Sequence, residues 1–259
     1  MTASRVEGAV GRAKRNDAFQ FGARAGFAVS GVLHLLIGYI ILRIAFGSGG
    51  TADKSGALAT LAQSGGGAVA LWTAAAGLAA LGLWRLAETV VADETTERLK
   101  SFGQGVVYLA IAFSAAKFAM GSGEASAARN ATLSARLMGN GWGKLVLVVV
   151  GVGIVAVGGY YVYKGVTKRF LEDLTASGGP AITPLGLAGY VAKGIVLAGA
   201  GILLIVATFT TDPAKASGLD GAVKMLGAAP FGKVLLILAA LGFAAYGLYS
   251  FARSRYCRL

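Results

Sequence analysis

The sequence holds one histidine, one cysteine and only 12 carboxylates in 259 residues, and each scarcity removes a class of chemistry. A single histidine, His34, cannot supply bis-imidazole haem ligation within one chain, and a His-rich metal centre cannot be assembled around it. A single cysteine, Cys257, allows no disulfide within the chain. Asp and Glu keep to the termini, the loops or the helix ends, as Glu88 and Asp212 do, so no carboxylate proton relay is expected at membrane depth. The Gly-x-Gly starts of "GVGIVA" and "GAGILL" lie inside apolar runs, with no strand before them and no trailing Lys-Ser or Lys-Thr, so they do not read as phosphate loops. No nucleophile stands with a recognisable base. The expectation is a protein that is not an enzyme and carries no cofactor and no metal.

Charge is sparse too. Charged residues make up 14% of the chain and hydrophobic ones 56%, with a mean hydropathy of +0.67, which is too apolar for an ordinary soluble domain. Crossing about 30 Å of hydrocarbon takes about 20 residues of helix, and six runs approach that length: Phe27 to Phe46, Ala68 to Leu86, Phe102 to Ala119, Lys144 to Tyr163, Pro184 to Phe209 and Lys233 to Ala252. The runs are continuous and do not alternate, which favours helices over barrel strands. The first is long enough to span, and polar, basic residues precede it, so it reads as a retained helix and not as a secretory signal.

The excess of basic residues, a net charge of +12, sets an orientation. Arg5, Arg12, Lys14, Arg15 and Arg24 precede the first run; Arg85, Arg98 and Lys100 follow the second; Lys164, Lys168 and Arg169 follow the fourth; Arg253, Arg255 and Arg258 close the chain. They outnumber Lys54, Arg129, Arg136, Lys144, Lys215, Lys224 and Lys233 on the other side. Basic loops stay in the cytoplasm, so both termini of a multi-pass chain are expected there. Anionic lipids at the cytoplasmic face are the expected partners, and nucleic acid is not.

Self-comparison reveals three copies of one pattern. "SGVLH", "QGVVY" and "KGIVL" superpose on Gly31, Gly105 and Gly194, and "LAQSGGGA", "LMGNGWGK" and "LGAAPFGK" bring Gly67, Gly143 and Gly232 together. Ten residues on lie Gly77, Gly153 and Gly242; fifteen on, Gly82, Gly158 and Gly247; seventeen on, Trp84, Tyr160 and Tyr249. The fold expected is all-α: six transmembrane helices as three tandem two-helix hairpins with pseudo-threefold symmetry about the membrane normal. The short patterns "GALATL", "ATLSARL" and "GAVKML" suggest an outer interfacial helix in each hairpin. The segments are a basic N-terminal stretch 1–24, repeats at 25–90, 98–165 and 184–253, a linker at 166–183 and a tail at 254–259. Gly31, Gly38, Gly105, Gly194 and Gly201, with Gly77, Gly153 and Gly242, are expected to let helices approach closely. Arg43, Lys117, Trp84, Tyr160 and Tyr249 are expected to anchor at the interfaces.

The tandem patterns "GFAVSGVLHLLIG" and "APFGKVLLILAALGFAAYGLY" resemble domain of unknown function 1206, a family of bacterial membrane proteins commonly built of three two-helix copies. The resemblance covers nearly all of Phe21 to Tyr256 and is closest at Gly189-Tyr190 and Pro230-Phe231-Gly232; the first copy has Gly26-Phe27 and "QSGGG", the second Lys100-Ser101 and "NGWG". It implies topology and repeat count and no substrate. His34 has Tyr108 and Leu197 as equivalents, so the repeat does not require an imidazole. Lys193 has Ser30 and Gln104 as equivalents, all polar, and the three form a candidate central ring. Two functions follow: an accessory or scaffold subunit packing on other membrane proteins or lipids, or a small transporter or channel with that ring as its constriction, favouring an anionic solute or lipid headgroup.

Overall fold

The computed structural model describes residues 17–91, 95–123, 126–175 and 180–256. Their helices are α1 (Asp17–Ala45), α2 (Lys54–Ala62), α3 (Gly67–Val91), α4 (Thr95–Ala119), α5 (Ser126–Met138), α6 (Gly141–Val166), α7 (Ile182–Thr210), α8 (Leu219–Ala228) and α9 (Gly232–Tyr256), with 3₁₀ turns at Arg169–Asp173 and Pro213–Ala216. Among the described residues five stretches are long and apolar enough to cross a membrane: Gly26–Ala45, Ser101–Ala119, Gly141–Val166, Ile182–Thr210 and Gly232–Tyr256. In α3 the described apolar stretch, Gly67–Leu83, is shorter.

Helix ends follow local chemistry. Gly47 closes α1 in a left-handed conformation (φ 79°), its N–H donating to Ile44 while Ser48 N–H donates to Arg43. Gly121 (φ 74°) closes α4 in the same way, with Gly121 N–H on Phe118 and Ser122 N–H on Lys117. This paired back-bonding satisfies carbonyls that a helix end leaves open, and a β-carbon would strain it. At the start of α6, the Asn140 side chain accepts from Gly143 N–H at 2.7 Å.

Packing divides the chain into two units, Met1–Lys54 with Ser126–Leu259, and Ser55–Ala125. In the larger, α1 packs on α9, α6 on α7, and α7 also on α9, with α5, α8 and the turn at Pro213–Ala216 at one end of these helices. In the smaller, α3 packs on α4.

The close pairs share one register. A β-carbon on Gly158 would lie 2.8 Å from the carbonyl oxygen of Gly194; on Gly82, 3.2 Å from that of Gly105; on Gly247, 2.9 Å from that of Gly31. One heptad along, a β-carbon on Gly151 would lie 3.1 Å from the Gly201 oxygen, and one on Gly38 would lie 2.9 Å from the Ala240 oxygen. In sequence terms the second helix of one copy packs on the first helix of the next, and α9 of the last copy packs on α1 of the first. Small residues let two helix backbones meet in this way.

Candidate functional site

The site is built on four helices of the larger unit, α1, α6, α7 and α9. Lys193 is the twelfth residue of α7, so it lies about 17 Å along the helix from Ile182 at 1.5 Å per residue. Its stem does not run along α7 to an end. The ammonium turns sideways onto the faces of Tyr246 from α9, 4.0 Å from the ring centre, and Tyr161 from α6, at 5.1 Å. On the α1 side His34, 5% exposed, places its ring 4.6 Å from that of Tyr246 and 6.0 Å from that of Phe243. His34 Nδ1 lies 2.7 Å from the backbone oxygen of Ser30. A carbonyl only accepts, so Nδ1 carries the proton and donates. The Ser30 hydroxyl, 3.4 Å from Nδ1, is a weak second contact.

One layer further along, Tyr190, Tyr246, Tyr249 and Phe170 form a buried aromatic cluster with Leu174 and Ile182. Phe170 stacks on Tyr190 at 5.4 Å and meets Tyr249 edge-on at 5.3 Å, while Tyr190 meets Tyr246 and Tyr249 edge-on. Such pairs contribute about 0.5–1.5 kcal/mol each beyond area burial. The Tyr249 hydroxyl donates to the Phe170 carbonyl at 2.9 Å, which fixes the turn at Arg169–Asp173 against α9. Asp173 then receives Lys164 at 2.7 Å and Arg253 at 3.3 Å, and Arg253 lies 4.3 Å over the Phe27 ring. Thr175 N–H on the Tyr256 carbonyl and the Ser254 hydroxyl on the Arg24 carbonyl complete this end.

At the other end, Gly50 folds back onto Ile40, and Ala52 N–H donates to Asp220 at 2.8 Å. Asp220, 3% exposed, also pairs with Lys224 at 2.7 Å.

In the smaller unit an apolar groove of about 330 Å³ runs between α3 and α4, lined by Trp72, Ala75, Ala79, Leu109, Ala112 and Phe113.

Of the residues singled out in the sequence, Lys193 and Ser30 lie in the larger unit, both next to Tyr246 or its neighbour His34; the Gln104 and Trp84 side chains lie outside the described residues. Gly31, Gly38, Gly105, Gly194 and Gly201 sit in the seams. Gly77 and Gly153 have nothing within 4 Å of a β-carbon, and Gly242 faces Ala192. Arg43 is exposed and bonds the Ser48 carbonyl; Lys117 is half-buried beside Phe113. Tyr160 is 57% exposed, whereas its equivalent Tyr249 is 0% exposed. The repeat comparison does not single out Tyr161, Tyr190, Tyr246, Phe170 or Asp173. One signal was present: Lys164 and Arg253 stand equally far from Gly143 and Gly232, and both reach Asp173. Among the described residues no three His, Cys, Asp or Glu side chains converge as a metal site would need.

Compared with known proteins, the chain matches the family model Domain of Unknown Function (DUF1206) three times, over residues 25–92, 99–168 and 188–256. A relative, "Uncharacterized protein YxxB" of Bacillus subtilis (strain 168), is 30% identical over 250 residues, spanning 92% of this chain and 90% of its own length. No solved structure matches.

Proposed function

The chain belongs to the DUF1206 family, and we propose that it is a non-enzymatic integral membrane protein that serves as an accessory or scaffold subunit, packing against other membrane proteins. In this reading it crosses the bacterial cell membrane six times as three two-helix repeats about a pseudo-threefold axis, with both termini cytoplasmic, short interfacial helices outside, and anionic lipids against the basic cytoplasmic loops. The recurrence of one seam register at Gly82–Gly105, Gly158–Gly194 and Gly247–Gly31 supports the symmetric arrangement.

The observation that carries the scaffold role is the outer face of α6, the least buried of the five spanning stretches. Val146, Val149, Val150, Val157 and Tyr160 are exposed along one side, and Gly153, in their midst, has nothing within 4 Å. A flat valine face with a glycine at its centre suits close approach of a second helix in lipid.

A photo-crosslinking residue at Val149 or Val157 tests this in native membranes. Discrete protein adducts are expected, and they should weaken when Gly153→Ile fills the face. Adducts with lipid alone at both positions would remove the scaffold reading.

A further inference from the structure

We propose that Lys193, with Tyr161 and Tyr246 about its ammonium, binds an oxyanion of carboxylate or phosphate type. This site shares no residue with the exposed valine face of α6.

The surroundings of Lys193 leave its charge unbalanced. Lys193 is half-buried, an ammonium partly taken out of water loses hydration, and cation–π contact returns about 0.5–2 kcal/mol. The rings at 4.0 and 5.1 Å therefore do not by themselves settle Lys193. Among the described residues no carboxylate pairs with it. Asp173 is already shared by Lys164 and Arg253, Asp220 by Ala52 N–H and Lys224, and Asp53 is buried and engaged.

The surroundings increase the imbalance. Two further cations, Lys164 and Arg253, share the single carboxylate of Asp173, and Arg253, held over Phe27, lies two turns along α9 from Tyr246. His34 does not serve as counter-ion or acceptor through Nδ1, whose proton goes to Ser30. Tyr249 is occupied by the Phe170 carbonyl. A lysine offers three N–H donors, ring faces cover the ammonium from two sides, and an anionic oxygen is the acceptor that completes it. A single negatively charged head group offsets the surplus.

That head group has two sources, dissolved in water or carried by a lipid. The test uses the full chain purified in neutral detergent and stripped of anionic lipid. Thermal melting and equilibrium binding are followed with sodium phosphate, and separately with oleate in mixed micelles, against sodium chloride at constant ionic strength. One probe should raise the melting temperature saturably; phosphate doing so points to a soluble oxyanion, oleate alone to a lipid. Lys193→Met should weaken the dissociation constant at least about tenfold, the effect of losing about 1.4 kcal/mol, and Lys193→Arg should retain binding. Lys193→Gln gives a second neutral variant should the methionine chain fold poorly. Unchanged melting and no binding with both probes, or equal binding by the neutral variants, would overturn the proposal and leave the α6 reading untouched.

Discussion

Gly158 of α6 and Gly194 of α7 face each other so closely that a β-carbon on either would sit within 2.8 Å of the other's carbonyl oxygen. The two helices meet backbone to backbone here, and no side chain can yield to admit an extra methyl. Gly158→Ala should cost about 1–3 kcal/mol, the usual penalty of overpacking, read as a lowered melting temperature in detergent. Gly153→Ala, whose β-carbon meets nothing within 4 Å, should leave melting unchanged.

The seams should also rank. A β-carbon on Gly158 meets Ala198 N, a backbone atom, at 2.6 Å, whereas one on Gly82 first meets the Leu109 side chain at 2.8 Å. A leucine can change rotamer and a backbone amide cannot move alone. Gly82→Ala should therefore destabilise less than Gly158→Ala in the same assay. The reverse order would show that local register does not govern these seams.

Tyr249 holds the turn at Arg169–Asp173 through its hydroxyl, and Phe170 holds it by volume. Tyr249→Phe should cost about 1 kcal/mol, the net value of a hydrogen bond. Phe170→Ala should cost about 3–5 kcal/mol, because it empties a fully buried ring site. Limited proteolysis near residue 175 should accelerate for the second variant far more than for the first.

Asp220 does two things, and they can be separated. Lys224 is 55% exposed at its side chain, so that ion pair contributes little; the buried Ala52 N–H depends on the acceptor. Asp220→Asn keeps an oxygen for Ala52 and should be nearly neutral, while Asp220→Ala strands a buried donor and should cost about 1–3 kcal/mol. Equal losses in the two variants, measured by thermal unfolding, would point to charge as the dominant effect.

The orientation has a direct test in the only thiol of the chain. Cys257 should react with a membrane-impermeant maleimide only after the cytoplasmic membrane of intact cells is permeabilised. Labelling of unbroken cells would place the C-terminus outside.

Much of this architecture is legible in the residues because a backbone contact accepts only glycine or alanine, so the seam positions repeat at Gly31, Gly105 and Gly194 with no room for drift. What repetition cannot reveal is adjacency: equivalence of Gly82, Gly158 and Gly247 does not say that each meets the next copy and not its own. The Lys193 site was only half visible. Ser30 and Gln104 mark the position as polar, but Tyr161 and Tyr246 have no aromatic counterparts at Arg85 and Ser250, or at Leu81 and Val157, and comparison across copies averages such features away. For the same reason Tyr249 reads like Tyr160, yet the turn at Arg169–Asp173 packs over it and buries it.

The seam between α1 and α9 has a consequence for biogenesis. The Ser254 hydroxyl that bonds the Arg24 carbonyl is 230 residues downstream of it, and ribosomes add about 5–20 residues per second. In the membrane-spanning reading, α1 therefore waits about 10 s or longer after its own synthesis before α9 exists to cover Gly31 and Gly38. A chain halted in that interval leaves the glycine face of α1 open to other helices, a mispairing that the finished seam excludes.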